Sequence, residues 1–279
     1  MDLEFGKHGA PEFYTDLAVE RRRADTEIIG VDYRSYMGES GKWECVTVSS
    51  EEGERMLGRP SGIYDTLNTG RMETLNEVKI DDATEDVAAK LCELFEKMKI
   101  YPERLLVAGL GNRALTPDSV GPKAAAIVKP TLHISRVDYN MFDALECSEI
   151  AVITPGVTAE TGMESEDVIK SVVSRLLPDA VIAIDSIATG SPDRLGATVQ
   201  ISNTGIFGGS GVGSRKLGLN EQTLGVPVIA IGVPTVIDAR AFAKGFTRAG
   251  FLVSPTEIDE ITDAAAKIIG GGINQAFGI

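Results

Sequence analysis

Apolar residues recur along this chain in two rhythms. RLLVAGL at 104–110 is an unbroken apolar run of the length of a buried strand, and SEIAVIT (148–154), DAVIAID (179–185) and VPVIAIGV (226–233) read the same way. ATVQIS (197–202) reads as a further strand and is a candidate for a sheet edge. Between these runs the period changes. Asp82 and Glu85 stand at capping-box spacing, and Val87, Leu91, Leu94, Phe95 and Met98 follow at helical intervals. Further helices are predicted over GPKAAAIV (121–128), from about Glu164 to Leu177, from about Thr235 to Phe246, and over 256–269, the last ending at Gly270-Gly271-Gly272. Strands alternating with helices predict an α/β domain, a mostly parallel central sheet flanked by helices and joined by right-handed crossovers.

Two stretches fall outside that rhythm. Residues 1–16 are polar and carry Gly6, Gly9 and Pro11, which reads as a loosely held leader. Residues 25–80 mix short β-like runs such as WECVTV (43–48) with the turn-rich GRPSG and NTG, which predicts a small β-rich subregion packed on the main domain. The expected organisation is a leader over 1–16 and a single α/β domain over 17–279.

Composition narrows the chemistry. Of the 279 residues 43% are hydrophobic and 24% charged, as in ordinary globular chains, and the formal net charge of −14 opposes binding to nucleic acid or anionic lipid. No apolar run resembles a signal peptide or approaches the ~20 residues of a membrane span, so a cytoplasmic protein is expected. The three cysteines, Cys45, Cys92 and Cys147, form no CxxC pair, which argues for a reducing compartment. The two histidines, His8 and His133, lack ligand-like partners. A zinc site or a serine triad therefore has little to build on, no metal and no cofactor are expected, and carboxylates remain for acid–base work.

In an open α/β sheet, reacting groups gather beyond the carboxyl ends of the strands. Three loops meet there: GLGNRALTPDSVGP (109–122), TPGVTAETGMES (154–165) and DSIAT (185–189). Asp118 follows one strand and Asp185 ends another, so the fold can bring two carboxylates together. Neighbouring carboxylates share a proton, one serving as base on a water and the other as acid. Spacing alone leaves a structural alternative equally open, with Asp118 capping the next helix and Asp185 anchoring a turn. Asn112 and Glu164 are supporting candidates from the first two loops, although Glu164 also stands in capping-box relation to Thr161. GLGNRA fits a dinucleotide fingerprint only weakly, because Pro117 and Pro122 obstruct the helix it needs. GGSGVG (208–213) lacks the ending of a phosphate loop and reads as a tight or mobile loop beside the site.

TDLAVE (15–20), GLGNRALTPDSVGP (109–122), PGVTAETGMES (155–165), PDAVIAIDSIA (178–188), QISNTGIFGGSGVGSRK (200–216) and GVPVIAIGVPTVIDA (225–239) together, in this order, resemble the germination proteases of spore-forming bacteria. The resemblance is strong over roughly 100–240 and at 12–22, weak over 25–100, and fades after about 245.

The resemblance implies an endopeptidase that starts the degradation of small acid-soluble spore proteins in the spore core during germination. It also implies an atypical aspartic-type mechanism on a fold similar to hydrogenase maturation proteases, with Asp118 and Asp185 as the catalytic pair. Family members are made as zymogens that remove their own leader. Here the cut would fall at Asp16–Leu17, which makes the chain a precursor, with residues 1–16 as propeptide and acidification as a trigger. An acidic residue before the bond and an apolar one after it imply an acid-accepting pocket beside a hydrophobic one. A homo-oligomer, the family's tetramer, is expected. The chain departs from the family at Asn203 and Phe207, where Asp and His are common, and at Tyr14, where a basic residue is common. Two other readings stay open: a metal-dependent peptidase of the hydrogenase-maturation type, and a non-catalytic binding module on the same fold.

Overall fold

A computed structural model of the chain describes residues 14–22, 28–206, 218–242 and 251–279. Most of the leader, Phe207 and the GGSGVG loop lie outside the described residues. The strands are β1 (Val31–Met37), β2 (Lys42–Val48), β3 (Gly62–Asn68), β4 (Arg104–Gly109), β5 (Glu149–Ile153), β6 (Ala180–Thr189), β7 (Thr198–Ser202), β8 (Val228–Asp238) and β9 (Leu252–Val253). The helices are α1 (Ala18–Arg21), α2 (Glu51–Leu57), α3 (Glu77–Met98), α4 (Val120–Ile127), α5 (Leu132–Val137), α6 (Tyr139–Asp143), α7 (Thr158–Thr161), α8 (Ser165–Leu176), α9 (Glu221–Leu224) and α10 (Ile258–Ala276).

One sheet runs in the order β1-β2-β3-β7-β8-β6-β4-β5, with β9 paired to the far end of β8. The strands predicted from continuous apolar runs, β5, β4, β6 and β8, form its parallel half. The rest is antiparallel. The β-rich stretch is therefore no separate packed subregion: β1, β2 and β3 extend the same sheet through β7. ATVQIS lies inside the sheet, between β3 and β8, and not at an edge.

The pleat sorts side chains onto two faces. Leu105 and Val107 of β4, with Ile182 and Ile184 of β6, enter one core beneath α3, α4 and α10. Their neighbours Leu106, Ala108, Val181 and Ala183 enter a second core beneath α8 and α9. Both faces are covered, which is why these strands read as unbroken apolar runs. On the antiparallel half, Val46, Val48, Tyr64 and Leu57 form a third cluster, and Leu17, Ala18 and Val19 lie in it.

Several boundaries differ from the sequence expectation. Helix α3 begins at Glu77, not near Asp82, because the Asn76 side chain accepts a hydrogen bond from the Lys79 N–H and caps it there. The helix expected over 235–246 does not form in its first part: β8 continues to Asp238, its Ile237 and Asp238 paired to β9, and a 3-10 turn over Ala239–Ala241 follows, while residues 243–246 lie outside the described residues. Helix α10 passes straight through Gly270-Gly271-Gly272. These glycines are not a terminator but a contact surface, since a Cβ at Gly272 would come 2.7 Å from a Val87 methyl of α3. The two helices approach closely there, and Phe277 meets Phe95 edge-on at 5.6 Å.

Candidate active site

The loop after β4 turns on Gly111, whose φ of 107° suits glycine. A Cβ at that position would lie 2.1 Å from the Asp118 carbonyl oxygen, so the loop closes onto Asp118 only with glycine there. Asp118 ends a short 3-10 turn over Thr116–Asp118, and its carboxylate accepts the Asn112 backbone N–H at 2.8 Å. It does not cap α4, whose N-cap is Ser119 and makes no side-chain capping bond. The buried Thr235 hydroxyl donates to the Pro117 carbonyl at 2.6 Å, tying this loop to β8. Burial pushes the Asp118 carboxyl above the ordinary carboxylate range. The Asn112 N–H opposes that rise, and the negative charge of Glu160 adds to it.

Asp185 lies in the adjacent parallel strand, one residue beyond the last β4–β6 pair, Gly109 with Ile184. Strand β6 continues past it to Thr189, with a register shift between Ile187 and Ala188. One carboxylate oxygen of Asp185 accepts the Ser186 N–H at 2.8 Å. Asp118 and Asp185 both line one cavity of about 470 Å³.

The same cavity is lined by Tyr14 and Asp16 of the N-terminal segment and by Arg59 and Gln200. Asp16 is tied down on several sides. Its backbone N–H donates to the Ala188 carbonyl at 2.9 Å, and its carboxylate accepts the Ala188 N–H at 2.9 Å. Arg59 lies 3.5 Å from the other carboxylate oxygen, which also accepts a short hydrogen bond from the Tyr14 hydroxyl. Burial and the Asp16 charge push the Tyr14 phenol upward, so it stays a donor. Arg59 and Arg21 both donate to the Thr15 carbonyl, at 3.0 and 2.9 Å.

Beyond Asp16 the chain enters the protein. Leu17 and Ala18 are fully buried. Glu20 accepts the Gly190 N–H at 2.7 Å and the Thr189 hydroxyl. Arg59 and Tyr14 thus surround the Asp16 carboxylate, and Leu17 lies in the apolar cluster of Val46, Val48, Leu57 and Tyr64.

Among the supporting candidates, Asn112 acts through its backbone. Its side-chain oxygen accepts the Ala114 N–H and holds the loop. Glu164 is the N-cap residue of α8 without a side-chain capping bond, and its neighbours Ser165 and Glu166 line the cavity in its place. Thr161 does not cap α8 either; its hydroxyl bonds within its own loop. The sequence reasoning missed Arg59 and Gln200. Arg59 sat inside the turn GRPSG, and Gln200 was a polar residue at an inward strand position of ATVQIS, the one local sign that it served a site.

Comparison with known proteins bears on this site. The sequence profile described as "Germination protease" matches residues 9–247. The chain belongs to the germination protease family. A germination protease of Clostridium perfringens is 36% identical, over 94% of this chain and 94% of its own length. That of Caldanaerobacter subterraneus subsp. tengcongensis is 40% identical, over 82% of this chain and 70% of its own. That of Priestia megaterium is 38% identical, over 81% and 63%. Among solved structures, a NiFe hydrogenase maturation protease, HycI, from Thermococcus kodakarensis aligns over 66% of this chain and 99% of its own at 17% identity. Its TM-score of 0.38 is too low to carry an argument. As a germination protease the chain acts on protein substrates, and no helix among the described residues is long and apolar enough to cross a membrane.

Proposed function

We propose that this germination protease is a self-processing endopeptidase that uses Asp118 and Asp185 as an atypical aspartic pair, cuts its own chain at Asp16–Leu17, and then attacks small acid-soluble spore proteins in the spore core. The observation that carries the proposal is shared occupancy. Asp16, the residue before the bond, lines the same cavity as both carboxylates and is fixed there through Ala188. Residues 1–16 are then a propeptide, and the working enzyme is a homo-oligomer, the tetramer of its family.

Hydrolysis follows from two carboxylates sharing one proton. The ionised member takes a proton from water as the water oxygen bonds to the Asp16 carbonyl carbon. The protonated member gives its proton to the Leu17 nitrogen as the C–N bond breaks. Burial of Asp118 favours it as the member that holds the proton. Ser186 lines the cavity, but among the described residues its hydroxyl has no hydrogen-bond partner and no histidine lines the cavity, so nothing described there favours a serine–histidine mechanism.

The test is the intact mass of the full-length precursor after incubation at mildly acidic pH with a chelator, beside Asp118→Asn and Asp185→Asn. Loss of residues 1–16 in the unaltered chain alone is the expected result. Processing that persists in both variants would sink the carboxylate pair, and processing abolished by the chelator would replace it with a metal-dependent mechanism.

A further inference from the structure

Gln200 sits in the middle of β7, paired to Thr66 on one side and Gly232 on the other, and its side chain reaches into the cavity. Its amide spans the bond proposed for cleavage. The Gln200 Nε2 donates to the Asp16 carbonyl oxygen at 3.4 Å, and its Oε1 accepts the Ala18 backbone N–H at 2.8 Å. The orientation of the amide is dictated by its partners, because a backbone carbonyl can only accept and a backbone N–H can only donate. One side chain thus grips the main chain on the acyl side of Asp16–Leu17 and again one residue past it on the amine side.

We propose that Gln200 is a catalytic residue of this protease: the electrophile that polarises the scissile carbonyl and holds the negative oxygen formed on it. The proposal rests on the cleavage reading above. As the water oxygen bonds to the Asp16 carbonyl carbon, the C=O π pair moves onto the Asp16 oxygen, which is the atom that faces the Nε2 donor. The water proton goes to the ionised carboxylate. When the C–N bond breaks, the pair returns to the carbonyl and the Leu17 nitrogen takes the proton of the carboxylic acid. A hydrogen bond that is long to a neutral carbonyl shortens as charge builds on the oxygen, so the donor acts more strongly in the transition state than in the ground state. The Oε1 contact to Ala18 fixes the register, so the donated proton meets this carbonyl and not that of a neighbouring residue. Because both contacts are to main chain, the same amide serves any substrate strand laid in this groove, whatever its side chains.

The experiment measures the initial rate of leader loss from the full-length precursor across acidic and neutral pH. It compares the unaltered chain with Gln200→Met, Gln200→Glu and Asp118→Asn, each with its melting temperature. Gln200→Met removes the donor at similar volume, and a loss of about a hundredfold to a thousandfold is expected, as for other single donors to a developing oxyanion. Gln200→Glu is as slow near neutral pH, where its side chain is an anion facing the carbonyl. It regains activity relative to the unaltered chain as the pH falls and the carboxyl acquires an O–H to donate. That recovery is a signature a purely structural glutamine would not produce. If Gln200→Met processes within about threefold of the unaltered chain while Asp118→Asn is silent, the proposal fails and the cleavage reading stands. Slow processing with a collapsed melting temperature in both Gln200 variants, and no recovery in acid, overturns it in favour of a packing role. An unaltered chain that never loses its leader, or an Asp118→Asn variant that loses it at full rate, removes the cleavage reading and the role of Gln200 with it.

Discussion

The Arg59 guanidinium stands 3.5 Å from a carboxylate oxygen of Asp16, the residue on the acyl side of the proposed cut, and also donates to the carbonyl of Thr15 at 3.0 Å. Arg59 is mostly buried, and its Nε lacks a partner among the described residues, so its contacts with Asp16 and Thr15 form with little competition from water. Hydrogen bonds to a charged group are worth about 1.5–3 kcal/mol. Arg59→Met is therefore expected to slow self-processing by about tenfold to a hundredfold, and Asp16→Asn to slow it similarly. Combining the two should cost less than the sum of the separate losses, because both remove the contact that Arg59 and Asp16 share. Leader loss followed by mass spectrometry gives the three rates, and fully additive losses would show that Arg59 does not read Asp16.

The Glu160 charge helps keep Asp118 protonated, after the larger effect of burial. Removing that charge lets Asp118 ionise more readily, so its pKa falls and less of the acid form survives at any given pH. If Asp118 is the proton donor, Glu160→Gln moves the alkaline limb of the self-processing profile to lower pH and leaves the maximal rate near that of the unaltered chain. Rates of leader loss from about pH 4 to about pH 8 would show this. A limb that moves upward would assign the donor role to another group.

The convergence of Asp118 and Asp185 was legible in the sequence because parallel strands announce themselves as unbroken apolar runs, and their carboxyl ends must then lie together. The capping alternative for Asp118 could not be decided there. It depends on whether the carboxylate turns forward to α4 or back to Asn112, and Gly111 sets that direction. Strand β8 was misread beyond Pro234 because PTVID suits a helix start as well as a strand. Its partners, β9 and the distant half of β6, are fixed only by long-range pairing. Arg59 and Gln200 were hard to place for the same reason: Arg59 reaches Asp16 from the turn before β3 and Gln200 from β7, on the antiparallel half that local periodicity could not set beside the parallel one.

Leu17 is the first residue after the proposed cut, yet it is fully buried among Val46, Val48, Leu57 and Tyr64. The chain around the proposed cut, Leu17 to Val19, is thus part of the folded core. Leu17→Ala should destabilise the precursor by about 2–5 kcal/mol, the usual range for a buried leucine. It should also slow processing, since Asp16 then loses its anchor on the amine side. Chemical denaturation measures the first effect and leader loss the second. A cost below about 1 kcal/mol would mean that the segment docks only loosely.

Gly111 carries the most direct link between backbone conformation and chemistry. With φ at 107° and the Asp118 carbonyl oxygen 2.1 Å from where a Cβ would stand, Gly111→Ala must open the loop that holds Asp118. The strain amounts to about 1–3 kcal/mol, small against the stability of a domain with two filled cores. The protein should therefore stay folded, with a melting temperature only modestly lowered. Displacing a reacting group by about 1 Å can cost about a hundredfold in rate, so self-processing should fall by that order. The Asn112 N–H, which counters the rise in the Asp118 pKa, would move away from the carboxylate as well. Loss of that N–H favours the protonated form of Asp118, whereas exposure of its carboxyl by the opened loop favours ionisation, so a shift of the surviving activity to higher pH reads the first effect and a shift to lower pH the second. Circular dichroism, melting and the pH profile of leader loss test the three consequences together. A variant that folds and processes normally would show that the loop does not need to close on Asp118 for the reaction to occur.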